Sequence, residues 1–90
     1  MESAHKKLQN QLSNSLLRKG YHISKQREII IEALCKEQEI KNIELFWLNL
    51  RREHAISYAT VYKNIGILLQ HGWLVKEGQN VADAVYRLSL

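Results

Sequence analysis

The stretch Ser57-Tyr58-Ala59-Thr60-Val61-Tyr62-Lys63-Asn64-Ile65-Gly66-Ile67-Leu68-Leu69-Gln70-His71-Gly72-Trp73-Leu74-Val75 changes its apolar period partway along. Up to His71 the period is helical: Val61, Ile65, Leu68 and Leu69 recur at spacings that fall on one side of a helix. Ser57 is the N-cap candidate, with Thr60 three positions later. Gly72 stops the helix. Beyond it, Trp73-Leu74-Val75-Lys76 alternates as a strand does. Glu77-Gly78-Gln79-Asn80 is expected to turn, and Ala84-Val85-Tyr86-Arg87-Leu88 to return as the second strand of a hairpin.

On a helical wheel the side opposite that apolar face holds Ala59, Tyr62, Lys63, Gly66 and Gln70. It contains no acid, whereas a merely solvated face usually mixes Glu with Lys. Two small residues, a phenol, a cation and an amide suit close approach to a grooved surface, with hydrogen bonds to base edges and phosphates. Gly66 sharpens the point. Glycine in mid-helix costs about 1 kcal/mol relative to alanine. Its presence asks for a reason, either close packing inside or close approach outside.

Working back toward the N-terminus, three more helices are expected. Asn42 caps one whose apolar face is Ile43, Phe46, Trp47 and Leu50 and whose end carries Arg51 and Arg52. The short link Glu53-His54-Ala55-Ile56 joins it to Ser57. Before it, Ser24 caps a helix with Ile29, Ile30, Ala33 and Leu34 on its face, Ile31 in excess and Cys35 near its end; the stretch 36–39 closes it. The first helix spans about Ala4 to Lys19, with Leu8, Leu12, Leu16 and Leu17 as a narrow stripe and Gly20 as its stop. That stripe is too thin for a central core helix, so it is expected to lie across the domain. It serves equally as a packing stripe or a dimer seam.

The order helix-helix-helix-helix-strand-strand is mostly α with a small antiparallel hairpin. Two helices joined by a short turn, the second with a bare polar face, and then a hairpin, is the layout of a winged helix-turn-helix. In it the second helix of the pair enters the major groove and the hairpin lies against the backbone. The expected division of the single domain, 1–90, is an N-terminal helix (1–20), a helical core with the helix-turn-helix (21–72) and a wing (73–90).

Composition agrees with this. Ninety residues make one domain. With 46% hydrophobic and 24% charged residues the chain is an ordinary globule. No apolar run approaches the about 20 residues of a membrane span. The net charge is +4 and sits mostly at the N-terminal end, where Lys6, Lys7, Arg18, Lys19, Lys25 and Arg27 face Glu2 alone. Such a balance favours a polyanion. One cysteine excludes an internal disulfide, and no apolar signal core follows the first charges, so a reducing cytoplasm is expected. His5, His22, His54 and His71 lack ligand spacing, and no cofactor is expected. His71 is expected at a helix C-terminus. Cys35 reads as an inert buried thiol, a redox dimer being weakly motivated. Phe46 and Trp47 read as core, and Trp73 as an anchor under the wing. Paired carboxylates, a nucleophile–base pair and a Gly-rich phosphate loop are all missing, so an enzyme is poorly supported.

The segment Ser57 to Val75, with Ala59-Thr60-Val61-Tyr62-Lys63 at its heart, resembles the recognition helix of the ferric uptake regulator family, with Lys for the usual Arg. Gly20 to Arg27 is similar to the family's entry into the second helix, where Ser24 and Arg27 match and Gln26 replaces a frequent Pro. The resemblance covers about Leu16 to Leu90. It implies a winged-helix DNA-binding domain of a bacterial metal- or peroxide-responsive repressor. By the same resemblance Tyr62 reads a base, Lys63 takes the family Arg's phosphate or base role, and Arg27 binds a backbone phosphate. His22 stands where many members place a minor-groove Lys. Ser57 and Tyr58, with Ala59 and Thr60, open the recognition helix, where phosphate binds naturally. Lys76 would touch the flanking backbone from the wing.

Departures from the family are equally plain. Neither a His-rich linker nor paired C-x-x-C motifs occur, and Ile40 stands where many members carry a metal-ligand His. Metal sensing in the family's manner is not supported. Either this is an excised DNA-binding domain or a short relative that dimerises by another route. The expectation is a sequence-specific regulator on double-stranded DNA, an AT-rich inverted repeat bound by a homodimer. The alternative is a winged-helix protein-interaction module without DNA binding, since fold does not fix function.

Overall fold

The computed structural model describes residues 4–78 and 84–89. The helices are α1 (Ala4–Arg18), α2 (Lys25–Glu37), α3 (Ile43–Arg51) and α4 (Tyr58–Gln70), and the strands β1 (Glu39–Ile40), β2 (Leu74–Glu77) and β3 (Val85–Leu88). Each expected cap forms. Ser24 Oγ accepts from Arg27 N, Asn42 Oδ1 from Leu45 N and Ser57 Oγ from Thr60 N. Each satisfies an amide the helix leaves without an internal partner, a contribution of about 1 kcal/mol. Gly72 sits at φ +80°, a conformation glycine adopts without steric cost, and Trp73 N reaches back to Leu68 O at 2.9 Å.

The sheet corrects the two-strand expectation: it has three strands in the order β1-β3-β2, all antiparallel. The unforeseen strand is only Glu39-Ile40, too short to show a period of two. It arises because Gln38 adopts the left-handed conformation (φ 65°) at the end of α2 and swings the chain alongside β3, where Leu88 N donates to Gln38 O at 3.0 Å. The return strand β3 is therefore central rather than an edge. Arg87 lies between two acids on its neighbours, Glu39 at 3.7 Å and Glu77 at 3.3 Å. These pairs are exposed and add little stability. Trp73 precedes the hairpin strand and Ala84 precedes its return; Gln79 and Asn80 of the expected turn lie outside the described residues.

Two packing expectations also change. The α1 stripe is not peripheral: Leu8, Leu12 and Leu16 are buried against α2, Leu12 completely, while Leu17 is exposed. A narrow stripe suffices because α1 packs mainly against one neighbouring helix, with Gln9 buried beside Leu8. That burial accounts for the three leucines as packing. The face of α2 is turned from the expected one. Ile30, Ile31, Leu34 and Cys35 are buried, and Ile29 and Ala33 only partly so. Ile31 is thus a core residue. The core joins these side chains to Phe46, Leu50 and Ile56 of the α3 region, to Val61, Ile65 and Leu68 of α4, and to Ile40 and Leu74 of the sheet. At about 1.5–3 kcal/mol for each large apolar side chain removed from water, this one cluster supplies the main stabilisation.

Candidate nucleic-acid interface

The turn from Arg52 to Ser57 delivers α4 with Val61, Ile65 and Leu68 buried and Ala59, Tyr62, Lys63, Gly66 and Gln70 exposed. The outward set is the one expected, and no acid interrupts it. A Cβ placed on Gly66 would meet nothing within 4 Å. Internal packing among the described residues therefore does not require glycine there.

Ser57 and Thr60 hold the start of α4: their hydroxyls lie 2.9 Å apart, and Ser57 Oγ also takes the Thr60 amide at 3.1 Å. Both hydroxyls thus shape the helix end. Tyr58 and Tyr62 stand one turn apart on its outer edge, ring centroids 6.1 Å apart. Tyr58 in turn meets Trp47 of α3 edge to face, at 5.6 Å and 80°. The Trp47 indole is fixed by donating from Nε1 to Ile56 O at 2.8 Å, and the Arg51 guanidinium lies 5.3 Å over its ring. Trp47 is therefore more than core: it buttresses the tyrosine pair. The signal in the sequence was its distance of eleven residues from Tyr58 across a tight turn, which only the folded turn converts into contact.

A cleft of about 290 Å³ opens between the start of α3, the start of α4 and the sheet. Lys41, Tyr58, Tyr62, Lys76 and Tyr86 line it, with Glu44 on one wall. It unites three expected residues, Tyr58, Tyr62 and Lys76, and adds Lys41 and Tyr86, which no motif had marked. Lys76 and Tyr86 are cross-strand partners on β2 and β3. Two ammonium groups and three phenols line the cleft, and the Lys41 ammonium also lies 3.8 Å from Glu39 Oε1. A larger groove of about 450 Å³ lies between the end of α2 and α3, walled by Ala33, Phe46 and Leu50 with Glu37 and Glu39 also lining it. None of the expected site residues lines it.

Arg27 is engaged inside the molecule. Its Nε donates to Asn64 Oδ1 and its Nη1 to His22 O, each at 2.6 Å. His22 is exposed. His71 caps α4, and its Nε2 lies 2.9 Å from the Tyr21 hydroxyl. Trp73 sits against α1 rather than under the wing, its Nε1 donating to Ser15 Oγ at 3.2 Å. Cys35 is fully buried and burial pushes its thiol up to about 11, so at neutral pH it stays protonated and a poor nucleophile. Among the described residues no three His, Cys, Asp or Glu side chains gather in a group that would hold a metal ion. Ile40 is buried and its side chain has no lone pair to donate.

Among curated proteins, none matches the chain. The model of the ferric uptake regulator family matches residues 18–90, from the end of α1 through the sheet. That family is one of DNA-binding regulators rather than enzymes, and its members are usually dimers. No helix among the described residues is long and apolar enough to cross a membrane. With four helices, a three-stranded sheet, the A-T-V-Y-K segment turned outward on α4 and a family match over most of its length, this chain belongs to the ferric uptake regulator family.

Proposed function

We propose that the protein is a sequence-specific regulator of transcription that lays α4 into the major groove of double-stranded DNA. The observation that carries this is the outer face of α4, exposed along its length, free of acid and open at Gly66. Tyr62 and Lys63 are the base-reading and phosphate-holding residues, with Ala59 leaving room for the backbone to approach. The cleft beside them takes a phosphate of the flanking strand between Lys41, Lys76 and the phenols of Tyr58 and Tyr86. Ser57 and Thr60 act by holding the helix end, and His22 faces the duplex from the α1–α2 loop.

A lone domain meets few phosphates, so its own affinity is modest. Two copies on an AT-rich inverted repeat, with half-sites about one helical turn apart, raise it by avidity. The net charge of +4 assists encounter with a polyanion. In this reading the protein represses genes in a bacterial cytoplasm, where a single buried thiol stays reduced.

The test is fluorescence anisotropy with a labelled AT-rich inverted repeat at two salt concentrations, with scrambled duplex as competitor. Salt-dependent binding that scrambled duplex fails to displace supports the reading. Absence of binding at low salt removes it and leaves a protein-interaction module on the same fold.

A further inference from the structure

Asn64 is the polar side chain on the inner face of α4. It is 6% exposed, among Val61, Ile65 and Leu68. Both ends of its amide are used. Oδ1 accepts from Arg27 Nε at 2.6 Å, and Nδ2 donates to Thr60 O, one turn back, at 2.8 Å. The donor Arg27 is itself held, by the His22 carbonyl and by the Tyr21 ring 5.5 Å beneath its guanidinium. The same short segment grips α4 twice more. Gln26 Nε2 donates to Ala55 O at 3.1 Å in the turn before the helix, and the Tyr21 hydroxyl meets His71 at its end.

Burial of Val61, Ile65 and Leu68 decides which side of α4 faces inward, and a directional bond at Asn64 refines its roll about that setting. A hydrogen bond from an ionised guanidinium is both stronger and angle-dependent. Tyr62 and Lys63 leave α4 on other sides. A side-chain tip lies about 5–6 Å from a helix axis, so a roll of about 20° shifts it by about 2 Å, enough to lose a bond to a base edge.

Resting on the reading of α4 as the groove helix, we infer that Arg27 is a positioning residue. It acts on DNA recognition through Asn64, by setting the roll of α4, and does not hold a phosphate. A phosphate ligand and a positioning residue leave different traces. Loss of one phosphate contact lowers the slope of log affinity against log salt by about 0.9. Loss of positioning erodes preference between sequences and is reproduced by a change at Asn64, which removes no charge.

The experiment uses Arg27→Gln, Asn64→Leu, the double variant and Arg27→Lys. The probe is the duplex that the wild-type protein enriches from a random-sequence pool, measured against its scrambled counterpart. Each single variant is expected to lose about tenfold in preference, a scale typical of coupled neighbours. The double variant is expected to lose no more than either single one, and Arg27→Lys, which keeps the charge but not the fork, to behave as Arg27→Gln. A reduced salt slope in Arg27→Gln with wild-type binding by Asn64→Leu overturns the inference, as do additive losses. A second measurement needs no DNA. Residual dipolar couplings of backbone amides are expected to show α4 reoriented against an unchanged α1–α2 pair in both single variants. An unchanged α4 overturns the inference. A pool in which nothing is enriched removes only the DNA reading, and the couplings still decide the role of Arg27.

Discussion

Along α4 the inner face carries Val61, Asn64, Ile65 and Leu68, all buried, and the outer face carries Ala59, Tyr62, Lys63, Gly66 and Gln70, all exposed. The inner residues are accounted for by neighbours within the chain: a core cluster around the three apolar ones and Arg27 for the amide. The outer residues are not. Nothing among the described residues requires a glycine at 66 or an acid-free surface, and Tyr62 is 59% exposed despite its size. One helix thus answers to two constraints, and substitutions on its two faces should separate them.

The largest effect is expected on the inner face. Ile65→Ala should destabilise the protein by about 2–5 kcal/mol, because the removed atoms leave a cavity in a closed core. Urea denaturation would register it as a lower midpoint at unchanged slope. A loss below about 1 kcal/mol would mean that α4 is not seated in the core as described. On the outer face the Tyr62→Ala, Lys63→Ala double variant should leave that midpoint within about 0.5 kcal/mol of wild type, as surface changes do. Its affinity for the enriched duplex should fall at least tenfold, about the weight of one good base contact. Retained affinity would break the assignment of that face to the groove. The smallest effect is the most informative. Gly66→Ala should raise stability by about 0.5–1 kcal/mol, since the new methyl meets open space. The same change should weaken DNA binding if the duplex closes on that backbone. Gain in stability with no loss of binding would leave Gly66 without a role in recognition.

The comparison also shows why some of the site was visible in residue order and some was not. Tyr62, Lys63 and Gly66 lie on one helix, whose period assigns each to a face before any tertiary contact exists, and Ser57 caps it. The hairpin was visible for the same reason, through alternation. Lys41 and Tyr86 join the cleft from β1–α3 and from β3, segments far apart in sequence, and no local pattern pairs them with Tyr58. Arg27 is the instructive case. Its spacing from Ser24 marked the start of α2 correctly, and the resemblance marked it as a phosphate ligand. In the fold its Nε donates to Asn64, 37 residues away. An asparagine among apolar residues on a helical wheel gives no sign of which residue it meets.

Residue order alone determined the four helices, their caps, the outward face of α4 and the hairpin, because caps, stops and periodicities act within a few residues and need no distant partner. Tertiary structure decided the rest. It placed the α1 leucines in the core, made β3 the centre of a three-stranded sheet by bringing Glu39-Ile40 beside it, set Trp47 edge to face against Tyr58 and joined Arg27 to Asn64. Those features depend on which surfaces meet after the chain closes on itself, and burial and hydrogen-bond direction settle that only between segments the sequence keeps apart.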